Sequence, residues 1–431
     1  MYNPFGKDFR DVELSDLEKL KSVAEGWYIE YKRERPNGRR IAASVSSFAN
    51  SRGGVYFIGI ESDPRTNFAV AFDGVTDNPD VIRDSVRGNL QPFPYFETFT
   101  VDGGNGRQIL MAVVPEGETP PYINSDGRIY RRQAAASDPV YENDRYTIDA
   151  LYQKAQEFRE ELEGFRRLDL SFTVGEADVP FLQMFVNPVP FNRSFIDDFF
   201  RKDNLRELMS QFNAKYALEE EISGGKVSSS GNIKLDSLTT HHGGISLRYL
   251  EGQNLAYNGM TLIIDVFGNF KLLVPLPNYQ PPDELPERYL KVLNRSQPES
   301  AASISLLSAR QIVGAIFGAM TNYVTYIDNK HLNLEGLEVK LRVTNCWRKS
   351  LYFDSDRFLA HVEEFGIPIC MKSEQDFPSD PIPLKIDELR AKPVTEYLVI
   401  FSLVANALGV PSEIATISVL EEMRDNPRTP S

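Results

Sequence analysis

The chain has 431 residues, 42% of them hydrophobic and 25% charged, which is enough material for two or three globular domains. Its formal net charge is -14 and neither the first 150 residues nor the remainder is basic, which excludes a protein that coats nucleic acid over its whole surface. Any nucleic-acid surface must therefore be local. The two cysteines, Cys346 and Cys370, lack metal-ligand spacing, which excludes a disulfide framework and fits a reduced, cytoplasmic setting.

Residues 1–10 lack the apolar stretch of a signal peptide. Ser15 is expected to cap a helix over 16–24, with Asp16 and Glu18 in its first turn. Residues 27–32 alternate and predict a strand. Pro36-Asn37-Gly38 then marks a loop. Ile41, Val45 and Phe48 have helical spacing, so 39–50 predicts a helix that Gly53 and Gly54 end. Residues 55–60 form an apolar run that predicts a strand buried on both faces. A helix over 79–90 follows, stopped by Pro92 and Pro94. Strands over 95–101 and 108–114 flank the Gly-rich turn at 102–106, and 128–132 predicts a short basic strand.

Residues 148–168 place Ile148, Leu151, Tyr152, Ala155, Phe158, Leu162 and Phe165 on one stripe, as in a connecting helix that packs on something. Beyond residue 169 the expected strands are 181–186, 244–250 and 337–346, with a hairpin over 261–275. The expected helices are 303–328, 354–365 and 393–408. Arg310, Gln311 and Asn322 make the first of these a buried helix rather than a membrane span. Residues 276–300 are expected to be loop.

The chemistry concentrates between Glu25 and Asp63. On a strand, Glu30 and Lys32 point to the same face. Glu25 can fold back from the preceding turn, and Glu61 and Asp63 follow the buried strand. Such carboxylates suit Mg²⁺ or Mn²⁺, and Lys32 could neutralise a phosphate. The other reading is surface charges paired with Lys32 and Arg33. Basic residues cluster at Lys32, Arg33, Arg35, Arg39 and Arg40, again at Arg128, Arg131 and Arg132, and singly at Arg52. They suit phosphate contacts, or else simply solvate loops. No Walker-type loop occurs, so no nucleotide cofactor is expected.

The order Glu25-x4-Glu30-x-Lys32, then Phe48-Ala49-Asn50-Ser51-Arg52-Gly53-Gly54, then Ile58-Gly59-Ile60, then Gly127-Arg128-Ile129-Tyr130-Arg131-Arg132 resembles the AlbA-like domain of the Schlafen superfamily. The resemblance spans roughly Glu13 to Pro139. It implies nucleic-acid binding and, in a subset of members, metal-dependent cleavage of tRNA and rRNA. In that subset two glutamates and an aspartate after the Ile-Gly strand form the acidic site. Glu25 and Glu30 match the first two. The third place falls on Ser62, a departure, with Glu61 and Asp63 on either side.

The expectation is thus a Schlafen-type AlbA-like mixed α/β domain over 1–145, a connecting helix over 146–168, an unassigned α+β domain over 169–424 serving as sensor or regulator, and a disordered tail over 425–431. The leading function is metal-dependent cleavage of structured RNA such as tRNA. Glu25, Glu30, Lys32 and Asp63 would be catalytic, and Glu25, Glu30, Glu61 and Asp63 would hold the metal. Arg33, Arg35, Arg39, Arg40, Arg52, Arg128, Arg131 and Arg132 would grip RNA or DNA. The alternatives are a non-catalytic nucleic-acid-binding regulator and a protein-interaction module. A homodimer is expected because the chain shows one AlbA-like lobe where some relatives use two.

Overall fold

The computed structural model describes residues 2–133, 137–167, 179–190, 199–222, 225–241, 243–249, 259–276, 291, 305–330, 332 and 334–425. The chain divides into two compact units, Met1–Leu168 with Pro190–Asn192, and Asp169–Val189 with Arg193–Ser431.

The first unit is built on a four-stranded mixed sheet. Its strands are β1 (Ile29–Lys32), β2 (Gly54–Ile58), β3 (Glu97–Gly104) and β4 (Arg107–Val114), in the order β1-β2-β4-β3. β1 and β2 run parallel, with Glu30 opposite Tyr56 and Lys32 opposite Ile58. Parallel neighbours need a crossover, and helix α1 (Gly38–Ala49) supplies it. Helix α2 (Asp80–Asn89) packs against α1.

The period-2 alternation of β2 and β4 sorts the core into two layers. Tyr56, Ile58, Leu110, Ala112 and Val114 face Ile41, Val45 and Phe48 of α1. Val55, Phe57, Ile109, Met111 and Val113 join Leu17, Leu20, Ile29 and Tyr31 on the other side. β1 follows the same rule. Ile29 and Tyr31 enter the second layer, so Glu30 is turned toward α1, into a mostly apolar layer.

Several predicted elements shift. The first helix is a 3-10 segment, Leu14–Ser22, and its cap is Glu13, whose N–H donates to Asp16 Oδ2 at 3.0 Å. Asn37, read as loop, caps α1 by accepting from the Arg40 N–H at 3.0 Å. The basic strand shortens to Tyr130–Arg131, paired with Val140–Tyr141. Helix α3 (Arg145–Arg167) belongs to the first unit and buries Leu151, Ala155 and Phe158, while Tyr152 is exposed.

The second unit holds a seven-stranded sheet in the order Ser237–His241, Gly244–Arg248, Thr261–Asp265, Phe270–Pro275, Phe181–Val189, Gly336–Thr344 and Glu374–Lys385, antiparallel throughout. The helix expected over 303–328 begins later. Ser305–Ser308 is a strand parallel to Lys349–Tyr352, and Ser308 caps the helix Ala309–Asn329. The helix Asp356–Phe365 is capped by Ser355 rather than Asp354. The segments Lys202–Phe212, Tyr216–Ile222, Gly225–Gly231 and Ser412–Asp425 carry regular structure that the sequence pattern did not signal. Most of the 276–300 loop and all of the tail beyond Asp425 lie outside the described residues. Among the described residues no helix is long and apolar enough to cross a membrane.

Candidate nucleic-acid interface

Between the sheet and α1 lies a network of charged side chains. The Glu30 side chain is fully buried, as is that of Arg132, and Arg132 Nη1 donates to Glu30 Oε2 at 2.9 Å. Ser44 Oγ donates to Glu30 Oε1 at 2.8 Å, and Lys32 Nζ lies 3.0 Å from the same oxygen. A buried carboxylate without partners would cost several kcal/mol; here one hydroxyl and two cations compensate it. α1 carries the hydroxyl because Arg40, Ser44 and Phe48 recur every four residues on one face. The Arg132 guanidinium also lies over the Phe48 ring, 4.9 Å from its centre.

Glu25 is half-buried, and its Oε1 accepts the Tyr31 N–H at 2.6 Å. Burial pushes its carboxyl up from the ordinary value, and that hydrogen bond holds it partly back. Burial acts against the charged form of Lys32. The Glu30 carboxylate and the hydrogen bond to Asp138 outweigh it and raise the ammonium above its ordinary value. The bond to Lys32 in turn lowers the Asp138 carboxyl, burial opposes this, and the charges of Lys32, Arg132 and Arg40 add to the lowering. Lys32 Nζ and Asp138 Oδ1 are 2.8 Å apart.

The residues between α1 and β2 hold this arrangement in place. The Asn50 side chain donates to the carbonyls of Tyr122 and Tyr130 at 2.9 and 3.0 Å and accepts the Tyr122 N–H at 2.8 Å. Ser51 Oγ accepts the Arg132 N–H at 3.0 Å. Gly53 has φ +73°, and a Cβ there would come within 2.7 Å of the Val114 carbonyl; one at Gly54 would meet the Phe48 ring. The run Phe48 to Gly54 is therefore a clamp that brings the strand containing Arg131 against α1.

The predicted site residues separate into groups. Glu30 and Lys32 meet at 3.0 Å, and the charges of both act on Glu25, whose own bond is to the Tyr31 N–H. Asp63 does not join them: its Oδ1 accepts the N–H groups of Arg65 and Thr66 at 2.7 and 3.0 Å and closes its own turn. Those backbone donors also hold its carboxyl below the ordinary value. Glu61 pairs with Arg33 at 3.1 Å. A divalent ion takes several oxygen ligands at once. Both Glu30 oxygens are already engaged by Arg132, Lys32 and Ser44, and Glu61 and Asp63 are held elsewhere. Among the described residues no three acidic, histidine or cysteine side chains are grouped to hold a metal. As arranged, these residues do not fit one.

The predicted basic contacts also divide. Arg132 is a correction: its guanidinium is enclosed and donates to Glu30 and to the carbonyls of Gly26, Ile29 and Ser137, so it cannot reach an external phosphate. Arg33 pairs with Glu61 and Asp73, Arg35 with Asp77, and Arg131 with Glu142. Arg39, Arg40, Arg52 and Arg128 are exposed and form no ion pair among the described residues. Arg52 lies over the exposed Trp27 ring at 5.7 Å, and Arg128 over Tyr141 at 5.3 Å.

Sequence reasoning missed Ser44, Asp138 and the structural duty of Asn50. A signal for Ser44 was available: it stands one turn after Arg40 and one before Phe48. Nothing in the sequence marked Asp138.

These features define a mixed α/β domain whose motif residues meet around one buried ion network. Residues 25–141 match the family model described as Schlafen, AlbA_2. The first unit thus carries a Schlafen AlbA_2 domain, of a family associated with nucleic-acid binding. Two solved structures resemble parts of the chain. The DIP2311 protein from Corynebacterium diphtheriae is 18% identical, with a TM-score of 0.24 over 33% of this chain and 28% of its own length. The N-terminal domain of a RecG-related protein from Nitrosomonas europaea is 22% identical, with a TM-score of 0.24 over 30% of this chain and 93% of that domain. The chain therefore spans under a third of the first of these relatives. No curated protein matches.

Proposed function

We propose that the first unit binds nucleic acid through phosphate contacts and does so without cutting it. The observation that carries this reading is the set of exposed arginines that form no ion pair among the described residues, Arg39 and Arg40 at the start of α1 and Arg52 beside Trp27. Arginines so placed suit phosphate oxygens, and an exposed indole suits base stacking. The acidic total charge confines binding to this local surface. The test is fluorescence anisotropy with labelled tRNA and with duplex DNA, comparing the wild type with an Arg39→Glu, Arg40→Glu variant. Binding that weakens with salt and is lost in the variant supports the reading; equal binding by both proteins sinks it.

Metal-dependent cleavage of structured RNA such as tRNA, with Mg²⁺ or Mn²⁺ at Glu25 and Glu30, is the sharper alternative. Incubation with total tRNA in Mn²⁺ or in EDTA, beside Glu25→Gln, decides between them. Cleavage that requires Mn²⁺ and is lost in Glu25→Gln would replace the binding reading. The proposal extends to a cytoplasmic homodimer, in which a second copy supplies the second lobe and the second unit regulates the first. The exposed Tyr146 and Tyr152 on α3 and the free thiols of Cys346 and Cys370 are its support. Light scattering after size exclusion should give the mass of two chains.

A further inference from the structure

Asp138 is the one network member whose side chain is largely in solvent. It is 77% exposed, its partner Lys32 is 26% exposed, and the Glu30–Arg132 pair behind them is fully enclosed. Its carboxylate stands where three cations bear on it: Lys32 by direct contact, Arg132 and Arg40 through their fields. Against those three positive charges stand two carboxylates, Glu30 and Asp138, and the half-buried Glu25. Without Asp138, three cations face one buried carboxylate and the half-buried Glu25, whose burial disfavours its charged form. That is the electrostatic signature of an anion site with its own occupant.

We propose that Lys32 is a phosphate-binding position, and that Asp138, 2.8 Å from it, fills it from within the chain until a nucleic-acid phosphate displaces the carboxylate. This deepens the proposed function and rests on it for the identity of the ligand. A phosphodiester carries one negative charge, so the exchange conserves charge, and its oxygen can accept from Lys32 Nζ as Asp138 Oδ1 does. The exposure of Asp138 makes the exchange possible without opening the core. Arg132 stays on Glu30 throughout and fixes the far side of the site. The built-in carboxylate also raises the threshold for binding, so that isolated anions are turned away and a polyanion held by Arg39 and Arg52 is accepted.

The test uses the full chain with Asp138→Asn and the double variant Asp138→Asn, Lys32→Met. Inorganic phosphate is the first probe. Melting temperatures are compared in sodium phosphate and in sodium chloride at equal ionic strength. Asp138→Asn should gain a phosphate-specific rise that both the wild type and the double variant lack. A 20-nucleotide RNA is the second probe. Asp138→Asn should bind it about 3- to 10-fold more tightly, with a salt slope steeper by about 0.7, as one added contact to single-stranded phosphate gives. No phosphate-specific rise in Asp138→Asn overturns the proposal, whatever RNA does. A phosphate-specific rise with no RNA binding by any variant keeps the anion site and overturns the nucleic-acid reading instead.

Discussion

Two of the three ion pairs among the described residues of this network, nearly equal in length, do different work. Glu30 and Arg132 meet at 2.9 Å with no solvent on either side; Lys32 and Asp138 meet at 2.8 Å with Asp138 mostly in water. The inner pair is bound to the fold, because Arg132 without Glu30 would be a buried charge facing only carbonyls, and Glu30 without Arg132 would keep partners on one oxygen alone. The outer pair contributes about 0–1 kcal/mol by the usual measure of exposed pairs. Distance therefore says little about which contact is structural and which is exchangeable; solvent decides it. The inner pair holds the scaffold, and the outer one is free to serve binding.

Breaking the inner pair should have the largest effect. Arg132→Met leaves Glu30 buried without its main partner and should destabilise the first unit by about 3–5 kcal/mol. Urea unfolding in a Trp347→Phe background, where Trp27 alone reports, measures it; a loss under about 1 kcal/mol would show that the two pairs do not differ. Asn50→Ala removes the clamp that presses the Arg131 strand onto α1. It strands two carbonyls and one N–H at the Tyr122 and Tyr130 backbone and should cost about 2–3 kcal/mol in the same assay.

Arg39→Glu with Arg40→Glu acts only on the solvent side. Its unfolding curve should stay within about 0.5 kcal/mol of the wild type, while nucleic-acid binding falls and the salt slope flattens by about one to two. The smallest effect belongs to Glu25→Gln. Burial raises the Glu25 carboxyl in the folded state above its ordinary 4.5, so the folded state holds that proton more tightly than the unfolded chain does. The group then lowers stability as pH rises through the window above 4.5, and nothing is lost below it. Glutamine keeps an acceptor for the Tyr31 N–H and removes the charge. Urea midpoints of variant and wild type should coincide near pH 4 and separate in favour of the variant by pH 7.

Much of the scaffold could be read from residues. The apolar runs at β2 and β4, the helical spacing of Ile41, Val45 and Phe48, and the shared face of Glu30 and Lys32 all carried through to the structure. Arg132 could not be told from Arg131 by pattern, because adjacent positions on a strand point to opposite sides and nothing local says which side is covered. Asp63 looked like a ligand beside a strand end, yet backbone donors two and three residues on are nearer partners than a distant carboxylate. Asp138 reaches Lys32 from 106 positions away, a distance that no local rule spans. In the second unit, Glu374–Lys385 contains Pro378, Pro381 and Pro383, and no element was expected there from the sequence. It is an edge strand of the seven-stranded sheet, a place where missing N–H groups are tolerated.

β1 is likewise an edge strand, bonded to β2 on one side alone. On its other side the Tyr31 N–H is taken by the Glu25 carboxylate, and the Ile29 carbonyl by the Gly26 N–H and the Arg132 guanidinium. An open row of such groups would invite a strand from another chain. The glutamate that opens the motif and the arginine that closes it thus insulate the rim of the sheet. In this chain the two side chains thereby double as a guard against aggregation, and variants that unseat either one should be recognised first by what they stick to.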